Sequence, residues 1–138
     1  MLPPMRIAGS ILLALVAVEH LWFLVLEMFL FRTPTGLETF HMTQQVADAC
    51  GTLAMNQGLY NGFLAAGAAT ALVTGSALLR RFILACVIAA GVFGAVSLGS
   101  FALVLVQGLP AAAALLACEI ADRRSWRDPG GGAPTLSR

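Results

Sequence analysis

The sequence contains no lysine, and its eight arginines against seven acidic residues leave a formal charge of only +1. No basic stripe is present for a phosphate backbone to meet, so no nucleic-acid partner is expected. Cysteine is scarce as well. Cys50, Cys86 and Cys118 stand far apart with no C-x-x-C spacing, which argues against a disulfide framework or a zinc site and for small buried side chains. Of the two histidines only His20 lies in an apolar stretch, so a metal or haem held between helical histidines is not expected either. Charged residues make up 11% of the 138 positions, too few to clothe a soluble surface.

What fills the chain instead is apolar. Hydrophobic residues reach 59% and the mean hydropathy is +0.85, which points to one all-α, polytopic integral membrane domain. The reading is four transmembrane helices in an antiparallel bundle, at about 7–31, 48–79, 82–97 and 101–121, within a domain spanning 1–124. Residues 125–138, with Pro129-Gly130-Gly131-Gly132, are expected to be a disordered cytoplasmic tail. Arg6 followed by Ile7–Val18 resembles a signal peptide, but the apolar run resumes after Glu19-His20 without an A-x-A-like site. Thr33-Pro34-Thr35-Gly36 reads as a turn, and Thr43 as the N-cap of the second long helix. Pro110 removes a backbone hydrogen bond, so a kink is expected near Val106.

Arginine placement sets the expected orientation. With four crossings, Arg6, Arg80-Arg81 and Arg123-Arg124-Arg127 share one side, which puts both termini in the cytoplasm of a cell inner (plasma) membrane protein. An odd number of crossings would separate these clusters.

Against this background the run Asn56-Gln57-Gly58-Leu59-Tyr60-Asn61-Gly62-Phe63 is conspicuous. At about 100° per residue, Asn56, Gln57, Tyr60 and Asn61 share one face, with Gly58 and Gly62 opposite. Amides at membrane depth must face protein or water, so the polar face is expected to point inward. Gly58 and Gly62 would let another backbone come close, and association with copies of the chain through Gly/Ala faces is one expectation. Glu19, His20 and Glu27 share an arc of the first helix, and Gln107 enters from the fourth at a similar depth. These groups are expected to converge in the outer half of the bundle. Each charge at membrane depth costs about 2.5–3.5 kcal/mol, which asks for a use.

Glu19-His20-x2-Phe23-x3-Glu27-Met28, the Asn56–Ala65 run and Gln107-x2-Pro110-Ala111 together resemble an uncharacterised family of small four-helix membrane proteins, catalogued as a domain of unknown function. The resemblance covers nearly the whole chain and implies the topology; it implies no activity. The chemistry of the residues suggests a polar intramembrane pocket for a small apolar molecule arriving from the outer leaflet of the bilayer. Glu19, His20 and Glu27 would be the catalytic acid–base groups of an isomerisation, which needs no soluble cosubstrate or cofactor. Asn56, Gln57, Tyr60, Asn61 and Gln107 would bind the substrate. The alternatives are a small transporter or proton-coupled carrier, and a structural membrane subunit whose amides simply join helices. The carrier reading lacks an acid in the inner half before Glu119, and the structural one leaves the intramembrane acids without a role.

Overall fold

In the computed structural model the described residues are 4–99, 101–102 and 104–127. Helix α1, Pro4–Val25, continues without a break into a π segment, Leu26–Leu30. A short helix α2, Pro34–Thr39, leads into α3, Gln44–Thr74, and α4 covers Ala77–Leu98. A second π segment, Val104–Gly108, opens into α5, Leu109–Arg127. Among the described residues all regular structure is helical.

Local chemistry moves several boundaries from their expected places. The second long helix ends at Thr74 rather than Leu79, because Gly75 takes the left-handed conformation (φ 66°) that stops a helix. Ser76 then caps α4 by accepting from the Leu79 amide at 3.3 Å, so Arg80 and Arg81 open α4 instead of closing α3. Thr43 caps α3 as its sequence suggested, through the Val46 amide at 3.4 Å. Thr33–Gly36 is not a simple turn, since Pro34 starts α2 and Gly36 packs against the Leu30 and Phe31 carbonyls. The break expected near Val106 takes the form of the π segment Val104–Gly108, a wider turn just before Pro110. Helix α5 also runs past Ala121 to Arg127. The tail expected to be disordered lies, from 128 onward, outside the described residues.

The core is an apolar cluster of Leu13, Val16, Ala68, Ala71, Ile83, Leu84, Val87, Ala111 and Ala114, drawn from α1, α3, α4 and α5. Outside it the molecule is apolar too: Ile11, Leu15, Leu21, Phe93, Val96 and Leu116 are all exposed. An apolar exterior of this extent belongs in lipid. Among the described residues three helical stretches, Met5–Leu30, Ala77–Ser97 and Val104–Arg124, are long and apolar enough to cross a membrane. The 31 residues of α3 are long enough, but Asn56, Gln57, Tyr60 and Asn61 dilute its hydropathy.

One end of the molecule is held by ion pairs between side chains. Arg80 donates to Asp122 at 2.6 Å, and Arg81 donates to both oxygens of Glu119 at 2.5 and 3.1 Å. The Arg80–Asp122 pair is the more enclosed, with side-chain exposures of 13% and 25% against 50% for Arg81. Losing a partner from a fully buried pair costs about 3–5 kcal/mol, and exposed pairs count for about 1 or less. Asp122→Asn should therefore destabilise the protein by about 1–3 kcal/mol, and Arg81→Ala by less than about 1. Equilibrium unfolding in mixed detergent would measure both; the reverse order would refute this assignment of the pairs.

Candidate functional site

The inner face of α3 is its small-residue stripe, Ala47, Gly51, Ala54, Gly58, Ala65 and Ala68, at alternating steps of four and three with one place between Gly58 and Ala65. That place is Asn61. The expected arrangement is thereby corrected: Gly58 and Gly62 face α1 inside the chain, and most of the polar face turns away. A Cβ on Gly58 would fall 2.5 Å from Met28 Cγ and 3.1 Å from the Met28 amide nitrogen; one on Gly62 would fall 2.5 Å from the tip of Leu24. Van der Waals packing drives helices together in lipid, so the side with least side chain comes closest. Asn61, half-buried at the edge of this contact, donates its Nδ2 to Glu27 Oε2 at 2.7 Å.

His20 is almost wholly enclosed, at 1% exposure, on the α1 stripe Gly9, Leu13, Val16, His20. Its Nδ1 lies 2.9 Å from the Val16 carbonyl. A carbonyl only accepts, so Nδ1 carries the proton, and in the neutral ring Nε2 is left with a lone pair. Phe23 packs edge-on against the ring at 5.6 Å. Nε2 is buried and has no partner among the described residues, and the same is true of Glu19 Oε1. No Glu19–His20 pair therefore satisfies either group. Gln107, 8% exposed, belongs to the second π segment and packs beside Gly91 of α4, where a Cβ would meet its Cγ at 3.2 Å. Gly9 of α1 touches Cys118 of α5. Counting equal steps along the two buried stripes from that contact brings His20 to the level of Gln107.

Residues 14–118 match the family DUF1304, described as a protein of unknown function. The chain belongs to that family. No curated protein and no solved structure matches it. The DUF1304 span takes in all eight side chains singled out from the sequence, from Glu19 to Gln107.

Within this DUF1304 span the structure brings Glu27 to Asn61 and encloses His20 and Gln107. It leaves Asn56, Gln57 and Tyr60 exposed, Tyr60 at 58%. Their direction is informative. Along the side of α3 that turns to α4, Ala71 is buried, Gly67 and Leu64 are half-buried, and Tyr60, Gln57 and Leu53 are exposed. The facing side of α4 runs from buried Ile83 through half-buried Cys86 to exposed Ala90 and Ser97. Gly67 of α3 meets Ile83 of α4, and on α3 the exposure rises from that contact towards Leu53. Gln57 and Tyr60 lie on the same stripe of α3 as Gly67 and are exposed.

Two features escaped the sequence reading. The first is a cleft of about 180 Å³ bounded by Glu27, Met28, Phe29, Phe31, Arg32, Gly51 and Met55. The second is the seat of Arg32, whose guanidinium lies over Gly51 where any Cβ would collide with it. Gly51 lies on the small-residue stripe of α3, and that periodicity was the available signal.

Proposed function

We propose that the chain crosses the inner membrane four times as an antiparallel bundle, both termini cytoplasmic, with α3 as the fourth spanning helix. On this reading it binds a small, largely apolar molecule in the outer half of the bundle, reached between α3 and α4. The observation that carries the proposal is the pair of buried polar atoms, His20 Nε2 and Glu19 Oε1, that no described residue satisfies. Unpaired polar atoms in an apolar interior are costly, and a ligand hydroxyl would donate its proton to His20 Nε2 while its oxygen accepts from a protonated Glu19. Glu19 and His20 are then the acid–base pair, suited to moving a proton in an isomerisation. Glu27 is already engaged by Asn61 and acts beside them as an orienting group. Gln57 and Tyr60 stand exposed on α3, where a passing ligand meets them first. A transport path is less well supported, because the inner half is the apolar cluster around Leu13, Leu84 and Ala114.

Titration of the purified protein in nanodiscs with long-chain alcohols and matching alkanes tests the site, read by the His20 ring nitrogen resonances. The alcohols should shift Nε2 saturably and the alkanes should not. His20→Phe should abolish alcohol binding while the protein stays folded. Equal responses to alcohol and alkane, or full binding by the folded variant, would refute the proposal.

A further inference from the structure

We infer that the cleft between Glu27 and Arg32 holds a zwitterionic amphiphile head, with an ammonium against Glu27 and a phosphate against Arg32. The inference rests on the membrane placement proposed above, but not on the acid–base role of Glu19 and His20. Two side chains of opposite sign bound this cleft, and no ion pair joins them among the described residues. Glu27 Oε2 already acts as an acceptor towards Asn61, so the carboxylate calls for donors. Arg32 is a donor only, and its planar fork suits a phosphate. A purely anionic head would be repelled by Glu27 and a purely cationic one by Arg32. A head carrying both charges is attracted at each end.

Arg32 is placed for this use. Gly51 leaves room for the guanidinium beside the cleft. Its other interactions are loose: Nη2 lies 3.4 Å from the Asp48 carbonyl, and Nε 4.0 Å from the Asp48 carboxylate. Asp48 is 62% exposed, so a phosphate entering the cleft competes only with a weakly held, hydrated partner. At about 180 Å³ the cleft far exceeds the space for one water. Met28, Phe29, Phe31 and Met55 give it apolar walls, where the first carbons of an acyl chain would lie. His20 lies seven residues before Glu27, roughly 10 Å away at helical rise, so the cleft and the interior site are separate places on the same helical run.

The test titrates the full chain, in an uncharged detergent, with short-chain phosphatidylethanolamine, phosphatidylcholine and phosphatidylglycerol, and with free phosphoethanolamine. Phosphatidylethanolamine should bind saturably and at least about tenfold more tightly than the other two lipids, since one lacks N–H donors and the other lacks the cation. Glu27→Gln and Arg32→Ala should each remove that preference, with Arg32→Lys keeping part of it and circular dichroism confirming the fold. Free phosphoethanolamine should bind more weakly than the lipid; equal binding would assign the cleft to a soluble ligand and overturn the lipid source. Phosphatidylglycerol binding as tightly as phosphatidylethanolamine, indifferent to Glu27→Gln, would overturn the zwitterion. If no head group binds saturably while alcohols still bind through His20, this inference fails and the interior site stands. If neither binds, both fail.

Discussion

Replacing Gly58 by leucine should destabilise the protein by about 3 kcal/mol or more, the upper end of what overpacking costs. The reason is the kind of neighbour the new side chain meets. A Cβ at Gly58 would already lie 2.5 Å from Met28 Cγ, 3.1 Å from the Met28 amide nitrogen and 3.2 Å from Glu27 Cβ. The Met28 side chain can swing away; the backbone of the π segment cannot without moving α1. Separating α1 from α3 also stretches the 2.7 Å bond between Asn61 and Glu27, so the polar group loosens with the packing. Gly62→Ala is the control, because its 2.5 Å neighbour is the far end of Leu24, which can take another rotamer. It should cost less than about 1 kcal/mol. Unfolding midpoints in mixed detergent, with size-exclusion profiles, would compare the two. A Gly58→Leu protein as stable as the parent would mean that α1 and α3 do not meet along this stripe.

The same stripe explains what could be read in advance. The apolar runs around Leu13, Leu84 and Ala114 gave the helices, because lipid leaves a spanning chain no other way to satisfy its backbone. Thr43 was legible as a cap because one residue and its side-chain oxygen suffice to make one. The end of α3 was less legible, since hydropathy is continuous through Leu79 and only the backbone angle of Gly75 breaks the helix. Asn61 illustrates the limit of the wheel argument. It shares a face with Asn56 and Tyr60 by angle, yet it also falls in the four-and-three spacing of Gly58 and Ala65, and packing followed that spacing. Glu27 and Asn61 meet across two helices, a pairing that the angles on either helix alone do not single out. Which polar side chains turn inward depended on how α3 packs against its neighbours, and no single-helix pattern encodes that. The seat of Arg32 went unnoticed because its partner in placement, Gly51, contributes only the absence of a side chain.

The Asn61–Glu27 bond yields the second large effect and separates a positioned acid from simple helix glue. Asn61→Leu removes the donor and leaves a half-buried carboxyl group facing apolar surface. Breaking a fully buried charge pair costs about 3–5 kcal/mol, and a single hydrogen bond between membrane helices about 0.6–2. Glu27 lies between these cases, so Asn61→Leu should cost about 2–3 kcal/mol. Glu27→Gln keeps the shape and still offers an oxygen to Asn61 Nδ2, so it should change stability by less than about 1 kcal/mol. In the double variant the stranded carboxyl is gone, and the loss should be smaller than for Asn61→Leu alone. That non-additivity, at least about 1 kcal/mol in a double-mutant cycle, is the signature of the contact. Head-group binding should follow a different order, with Glu27→Gln losing at least about tenfold although its stability is kept. Additive stabilities would show that the two side chains are not bonded. A Glu27→Gln protein that is both stable and fully able to bind would leave the bond as a helix clamp and no more.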